Sequence, residues 1–214
     1  MNMIIRDVAQ LAIGTGLICA AVIITDIVRH PLEMKIMNVV WPVTALYSGP
    51  IGLLLYLYIG RKQTKNKPFW QSVLTGTLHC GGGCTLGDLL AANLLLLFPL
   101  KIFGSQLAAE WTVEYIAAFT LGIIFQYYAI KPMKNLSIKE GFAAALKADA
   151  LSLTFWQIGM YGWMAISYFL IFHRLLKATE PVFWLMMQFG MLLGLITALP
   201  VNWWLIKKGI KEAM

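Results

Sequence analysis

Charge is scarce in this chain. Only 13% of its 214 residues are Asp, Glu, Lys or Arg, and 59% are hydrophobic, where an ordinary soluble domain carries about 25% charged residues. That shortage argues against a soluble globular protein. With a mean hydropathy of +0.72 and several apolar runs of about 20 residues, the length that crosses a hydrocarbon core of about 30 Å, composition implies a multi-pass membrane protein. Acid is scarcer than base, 10 residues against 17. In such a chain excess base reads as a topology signal before it reads as affinity for nucleic acid, so lipid is the expected surface partner and nucleic acid is not. Cysteine is scarce too, and three residues with Cys19 unmatched build no secreted disulfide framework. Of three histidines, His30 and His173 fall at the ends of apolar runs and His79 stands alone at depth, which argues against a bis-His haem. No His-Glu-x-x-His pair and no Gly-x-x-x-x-Gly-Lys phosphate loop occurs, so any transport is expected to be gradient-driven or passive.

What is present is apolar length. Six spans are expected, at about 8–27, 38–60, 69–99, 111–130, 143–172 and 182–206, in a single integral domain covering 1–214. No alternating ten-residue pattern suggests a barrel, so the fold class is all-α, a six-helix transmembrane bundle. Arg6, Arg61, Lys62, Lys65, Lys67, Lys131, Lys134, Lys139, Lys207, Lys208 and Lys211 then fall on one side, against Arg29, Lys35, Lys101, Arg174 and Lys177. The positive-inside rule puts both termini in the cytoplasm and the protein in the cell membrane. Trp70, Trp203 and Trp204 fall at inner span ends and Trp41, Trp111 and Trp184 at outer ones, as an aromatic belt requires. The first span lacks a small-x-small cleavage site and reads as a retained anchor.

Three spans carry helix breakers: Pro42 and Pro50, Gly81 to Gly83, and Pro200. Prolines are ordinary kinks in membrane helices, but three adjacent glycines each cost a helix about 1 kcal/mol relative to Ala. They lie in Leu78-His79-Cys80-Gly81-Gly82-Gly83-Cys84-Thr85-Leu86-Gly87-Asp88. If helical, Cys80, Cys84 and Asp88 share one face. A carboxylate at this depth is a functional site by default and needs a partner, a proton or a cation.

Thiol, thioether and imidazole together select soft metals, above all Cu(I), with Zn(II) as the alternative. The expected ligands are Cys80, Cys84, His79, Met160 and Met164, the two methionines standing one turn apart in the fifth span. Asp88, Asp149, Gln157 and Tyr161 form the expected proton or ion pathway, although Lys147 also offers Asp149 a simple interfacial ion pair. Cys80 to Gly87 and Met187 to Gly194 share their glycine spacing, an echo that two inverted halves would produce. The leading expectation is a membrane protein that binds and translocates Cu(I), more a transporter than an enzyme. Two alternatives stay open. Cys80 and Cys84 could cycle between dithiol and disulfide in a membrane oxidoreductase, since one helical turn brings their Cα atoms to about 6 Å, within disulfide range. Alternatively the glycines admit a neighbouring helix, the cysteines only pack, and the chain is an interaction subunit. Self-association is left open.

Four stretches also carry a family likeness. Val40-Trp41-Pro42-Val43-Thr44-Ala45-Leu46-Tyr47-Ser48-Gly49-Pro50, the His-Cys-Gly-Gly-Gly-Cys-Thr-Leu-Gly-Asp motif, Gly122 to Tyr127 and Trp156 to Gly162 resemble an uncharacterised family of bacterial multi-pass membrane proteins, a domain of unknown function. The likeness spans about 36–206. It implies one integral membrane domain whose signature contains His79, Cys80, Cys84, Gly87 and Asp88, and it brings no activity with it.

Overall fold

An apolar run away from water satisfies its backbone by coiling, and seven α-helices form among the residues that the computed structural model describes, 3–62, 67–134 and 136–212. They are α1 (Met3–Arg29), α2 (Met37–Ser48), α3 (Pro50–Leu55), α4 (Phe69–Leu97), α5 (Gln106–Lys134), α6 (Ile138–Ala165) and α7 (Pro181–Lys207). Single π-helical turns prolong α3 over Tyr56–Gly60 and α6 over Ile166–Ile171. No strand occurs among the described residues. Lys65 lies outside them, as do the side chains of Lys131 and Lys134.

Local chemistry sets the ends. Ser137 and Glu140 form a reciprocal capping box that starts α6, and Pro181 opens α7 where its missing N–H is no loss. In the joint before α7, Arg174 hydrogen-bonds both carboxylate oxygens of Glu180, at 2.8 and 2.5 Å, and those bonds hold the Glu180 carboxyl below its ordinary range.

Four helices, Met3–Arg29, Phe69–Leu97, Gln106–Ile130 and Pro181–Lys207, are long and apolar enough to cross a membrane. α6 matches them at 28 residues but carries Lys147 and Asp149. α4 is the central element, packed most closely on α5 and also against α2, α6 and α7, while α6 and α7 pair along their length. Large apolar side chains such as Leu11, Ile18, Leu90, Ile116, Phe169 and Ile196 point outward and stay exposed.

The expected second span at 38–60 is corrected. It is two helices folded back on each other rather than one continuous helix. Gly49, at φ +55°, ends α2, and Pro50 starts α3. The Trp41 ring meets the Tyr56 ring edge-on at 5.8 Å and covers Gly60, residues that a straight helix would hold about 22 and 28 Å from it. Asp26, near the end of α1, accepts a 2.7 Å hydrogen bond from the Tyr56 hydroxyl and is paired with Arg61. Both ends of the α2–α3 hairpin therefore lie beside the C-terminal end of α1. Trp41 is consequently a buried core residue, not a belt residue, whereas Trp70, Trp203 and Trp204 are exposed as expected.

The hairpin changes the order of ends. α4 and α6 run parallel, and α7 runs antiparallel to α6, since Gly190 meets Met160 and Gly194 meets Trp156. The C-terminal ends of α1, α5 and α7 thus share one end of the bundle with the N-terminal ends of α4 and α6. The start of α1 lies at the other, opposite the C-terminal end of α7.

The glycines of α4, which could break the helix or admit a neighbour, do not break it: α4 runs unbroken over Phe69–Leu97 and they bring neighbours close. Gly81 receives the Trp156 ring, Gly82 lies against Val40, Gly83 against the Gly122 backbone and Gly87 against that of Ala118. Gly83 and Gly87 on α4 thus face Ala118 and Gly122 on α5, a small-xxx-small pair that lets two backbones touch.

Candidate functional site

The faces brought together by these glycines are where the polar residues lie. Cys80 on α4 stands 3.0 Å from an Asp149 oxygen on α6. Eight residues further along both helices, Gln157 donates to the Asp88 carboxylate at 3.2 and 3.4 Å. The same offset of 69 residues at both places reflects parallel helices in fixed register. Cys84 lies between them inside the apolar core.

Around Cys80 the chain assembles a closed polar cluster. α7 ends at Lys207, and Gly209, at φ +66°, reverses the chain while the amides of Ile210 and Lys211 both donate to the Leu205 carbonyl. That turn drives the Lys211 side chain back into the bundle, where it is fully buried. Its ammonium meets Asp149 at 2.5 Å, the Asn202 side-chain oxygen at 2.7 Å, the Cys80 sulfur at 2.8 Å and the Gly76 carbonyl at 3.2 Å, four neighbours for three protons. Asn202 in turn donates to Ser152 at 2.5 Å, and Ser152 to the Cys80 sulfur at 3.3 Å. The second Asp149 oxygen has no hydrogen-bond partner among the described residues. Among the described residues the interfacial pair of Asp149 with Lys147 is not made, because two residues apart on α6 their side chains point to different faces, and Lys211 meets the carboxylate instead.

At the other level Asp88 is completely buried, and Glu114, on α5, is only 6% exposed. Ala118, one turn from Glu114, packs on Gly87, the neighbour of Asp88. Glu114 has no hydrogen-bond or ion-pair partner among the described residues, whereas Glu110, one turn nearer the helix start, accepts from Gln106 at 2.9 Å. Tyr161 donates to the Trp111 carbonyl at 3.0 Å and stacks on that ring at 5.1 Å, so its hydroxyl ties α6 to α5.

The expected metal ligands are distributed differently. The His79 ring lies tilted against Phe125, both nitrogens without a hydrogen-bond partner among the described residues, on the side of α4 that faces α5. Met160 packs over Gly190, and Met164 is buried in the apolar core. Among the described residues no three His, Cys, Asp or Glu side chains are arranged to hold a metal ion. An ammonium 2.8 Å from the Cys80 sulfur repels a second cation there.

Sequence reasoning missed Lys211, Asn202, Ser152 and Glu114. Glu114 and Asn202 were detectable as polar residues inside apolar runs. Ser152 carries no such signal, and the position of Lys211 depends on a chain reversal that only Gly209 hints at.

A bundle of membrane-length helices enclosing carboxylates and a lysine defines a class: an α-helical protein of the multi-pass type with ionisable residues in its core. The chain belongs to the family described as domain of unknown function DUF4396, whose model matches residues 69–211. The match opens with α4 and closes on Lys211, so it holds both polar levels, while α1 and the hairpin with its Val40–Pro50 stretch lie outside it. No curated protein and no solved structure matches the chain.

Proposed function

We propose that this is a cell-membrane transporter that moves protons along the α4–α6 seam and couples them to a cation. The observation carrying this reading is the pair of ionisable levels on facing helices, Asp149–Lys211–Cys80 at one and Asp88–Gln157 with Glu114 at the other. Carboxylates at membrane depth are expensive and, in bundles, mark proton relays and ion paths. α1, α4, α5, α6 and α7 cross the membrane in this reading and the α2–α3 hairpin enters without crossing. Its cytoplasmic end then carries Arg29, Lys35, Arg61, Lys62, Lys65, Lys67, Lys131, Lys134, Lys139, Lys207, Lys208 and Lys211, against Arg6, Lys101, Arg174 and Lys177 outside. That is a sharper positive-inside bias than six crossings give, and it puts the N-terminal end of α1 outside.

Each residue then has a task. Glu114 and Asp88 take protons from the outer side, with Gln157 orienting the Asp88 carboxylate. Asp149 passes them to the cytoplasm, and Lys211 closes that exit by holding Asp149 ionised, until a proton on Asp149 releases the lysine. Cu(I) as the coupled or sole cargo is a second reading. In its favour, Met191 accepts a 3.5 Å hydrogen bond from Thr85, which sets a thioether beside the Cys84 level.

The test is proton flux into vesicles of reconstituted protein carrying a pH-sensitive dye, with Cu(I) uptake measured in parallel. Flux is expected in the wild type and to fall at least tenfold in Asp88→Asn and Asp149→Asn. Neither proton nor Cu(I) movement in wild type would refute the proposal. Cu(I) movement that depends on Cys84 but not on Asp88 would replace it with the second reading.

A further inference from the structure

The coupled cation has a candidate site of its own. A cavity of about 280 Å³ lies at the end of the bundle opposite Lys211, between α4, α5 and the joint that leads into α7. Leu95 and Leu96 of α4, Leu176 of the joint and Phe183 of α7 make its walls apolar, and Glu110 and Glu114 project into it one helical turn apart. Glu114 is the informative group, since it is more than nine-tenths buried, has no protein partner among the described residues, and lines the cavity. A buried carboxylate without a partner carries a desolvation cost that an incoming cation or proton relieves.

We infer that this vestibule binds a small organic ammonium ion, with Glu114 as its counter-ion, Glu110 as the carboxylate nearer the mouth, and the apolar walls around its hydrocarbon part. The inference rests on the transporter reading and deepens it by naming the class of cargo. The chemistry of the walls makes the choice. A hydrated Ca²⁺ requires six to eight oxygen ligands, and among the described lining residues side-chain oxygen comes only from Glu110, Glu114, Gln106 and Thr179, the other walls being apolar apart from Lys177. An alkyl- or arylammonium needs one or two carboxylates and an apolar box, and Phe183 offers it an aromatic ring at which a cation is favoured. The cavity volume suits a group of a few carbon atoms to a single ring. Lys177, also lining the cavity with an exposed side chain, is the one cation among the described lining residues and opposes the ligand's charge.

The experiment uses the purified full-length protein in detergent, with benzylammonium chloride as probe and benzyl alcohol as its neutral counterpart. Binding is read by equilibrium dialysis and by the shift of the thermal unfolding midpoint at matched ionic strength. Saturable benzylammonium binding is expected. It should weaken at least tenfold in Glu114→Gln, weaken less in Glu110→Gln and tighten in Lys177→Gln, with benzyl alcohol at least tenfold weaker. Glu114→Gln removes a lone buried charge, so its midpoint without ligand should not fall, which keeps lost binding separate from lost folding. Equal binding of the alcohol, indifference to Glu114→Gln, or no saturable binding would overturn the inference. So would a larger midpoint shift with CaCl2 than with the amine. Proton flux without amine binding would overturn only this site, and amine binding without flux would overturn only the transporter reading.

Discussion

The side chain that decides the character of the inner cluster is Lys211, four residues beyond the last helix. A lysine ammonium has no place in an apolar interior unless acceptors meet it on every side, and here Asp149, Asn202, Cys80 and the Gly76 carbonyl do so. The sequence already put Cys80 and Asp88 on one face of α4, because helical periodicity is local information. It assigned Lys211 to the surface, because proximity to Asp149 depends on a turn at Gly209 that aims the chain back at helices 60 and 130 residues away. Removing one partner of a buried pair strands the other, typically at a cost of about 3–5 kcal/mol. Lys211→Met should therefore lower the unfolding midpoint in detergent markedly, and Asp149→Asn added to it should restore much of the loss, because the amide leaves no charge behind. A denaturation series of the two single variants and the double checks this. A Lys211→Met protein as stable as wild type would mean that the ammonium does not lie in the cluster.

At the scale of the helix, α4 shows why glycine can be read from sequence while its role stays open. Three glycines in a row signal that something other than side-chain burial selects them, and that much was legible. Whether they break the helix or admit a neighbour depends on the partner surface, and the partner is Ala118 and Gly122 of α5, two small residues with the same four-residue spacing. With no solvent to drive helices together, such close backbone contact is what holds them. A methyl group on Gly87 would overlap the Ala118 backbone, which cannot swing aside as a side chain could. Gly87→Ala should therefore destabilise the bundle by roughly 1–3 kcal/mol, the usual range for overpacking. Gly162, inside α6, has open space around it, and Gly162→Ala should be neutral or stabilising by up to about 1 kcal/mol from helix propensity. Thermal midpoints of the two variants, measured side by side, separate close packing from mere loss of glycine flexibility. Similar behaviour of the two would remove the packing argument.

For the whole molecule the decisive feature is the hairpin, and it was hidden in plain composition. Residues 38–60 are long and apolar enough to be taken as one span. The Gly49-Pro50 step is an ordinary kink in some membrane helices and a reversal here, because α1 offers Asp26 to Tyr56 and Arg61, and Trp41 covers Gly60. Only tertiary contacts distinguish the two outcomes. In the proposed arrangement the consequence reaches α1, since one crossing fewer puts its start on the side opposite the end of α7. Lys35, in the joint before α2, discriminates between the arrangements, because six crossings put it with Lys101 and the hairpin puts it with Lys62 and Lys208. Single cysteines introduced at these four exposed positions and probed with a membrane-impermeant maleimide, in intact cells and in inverted vesicles, read the side directly. Position 35 is expected to react from the same side as 62 and 208, and position 101 from the other. Position 35 reacting with 101 would restore the continuous second span, and with it a cytoplasmic start to α1. In that case the entrance lined by Glu110 and Glu114 would still face outward, since α4 to α7 run the same way in both arrangements. The vestibule therefore stands or falls separately from the hairpin, on which the cation balance depends, and labelling at Lys101 tests the outward orientation by itself.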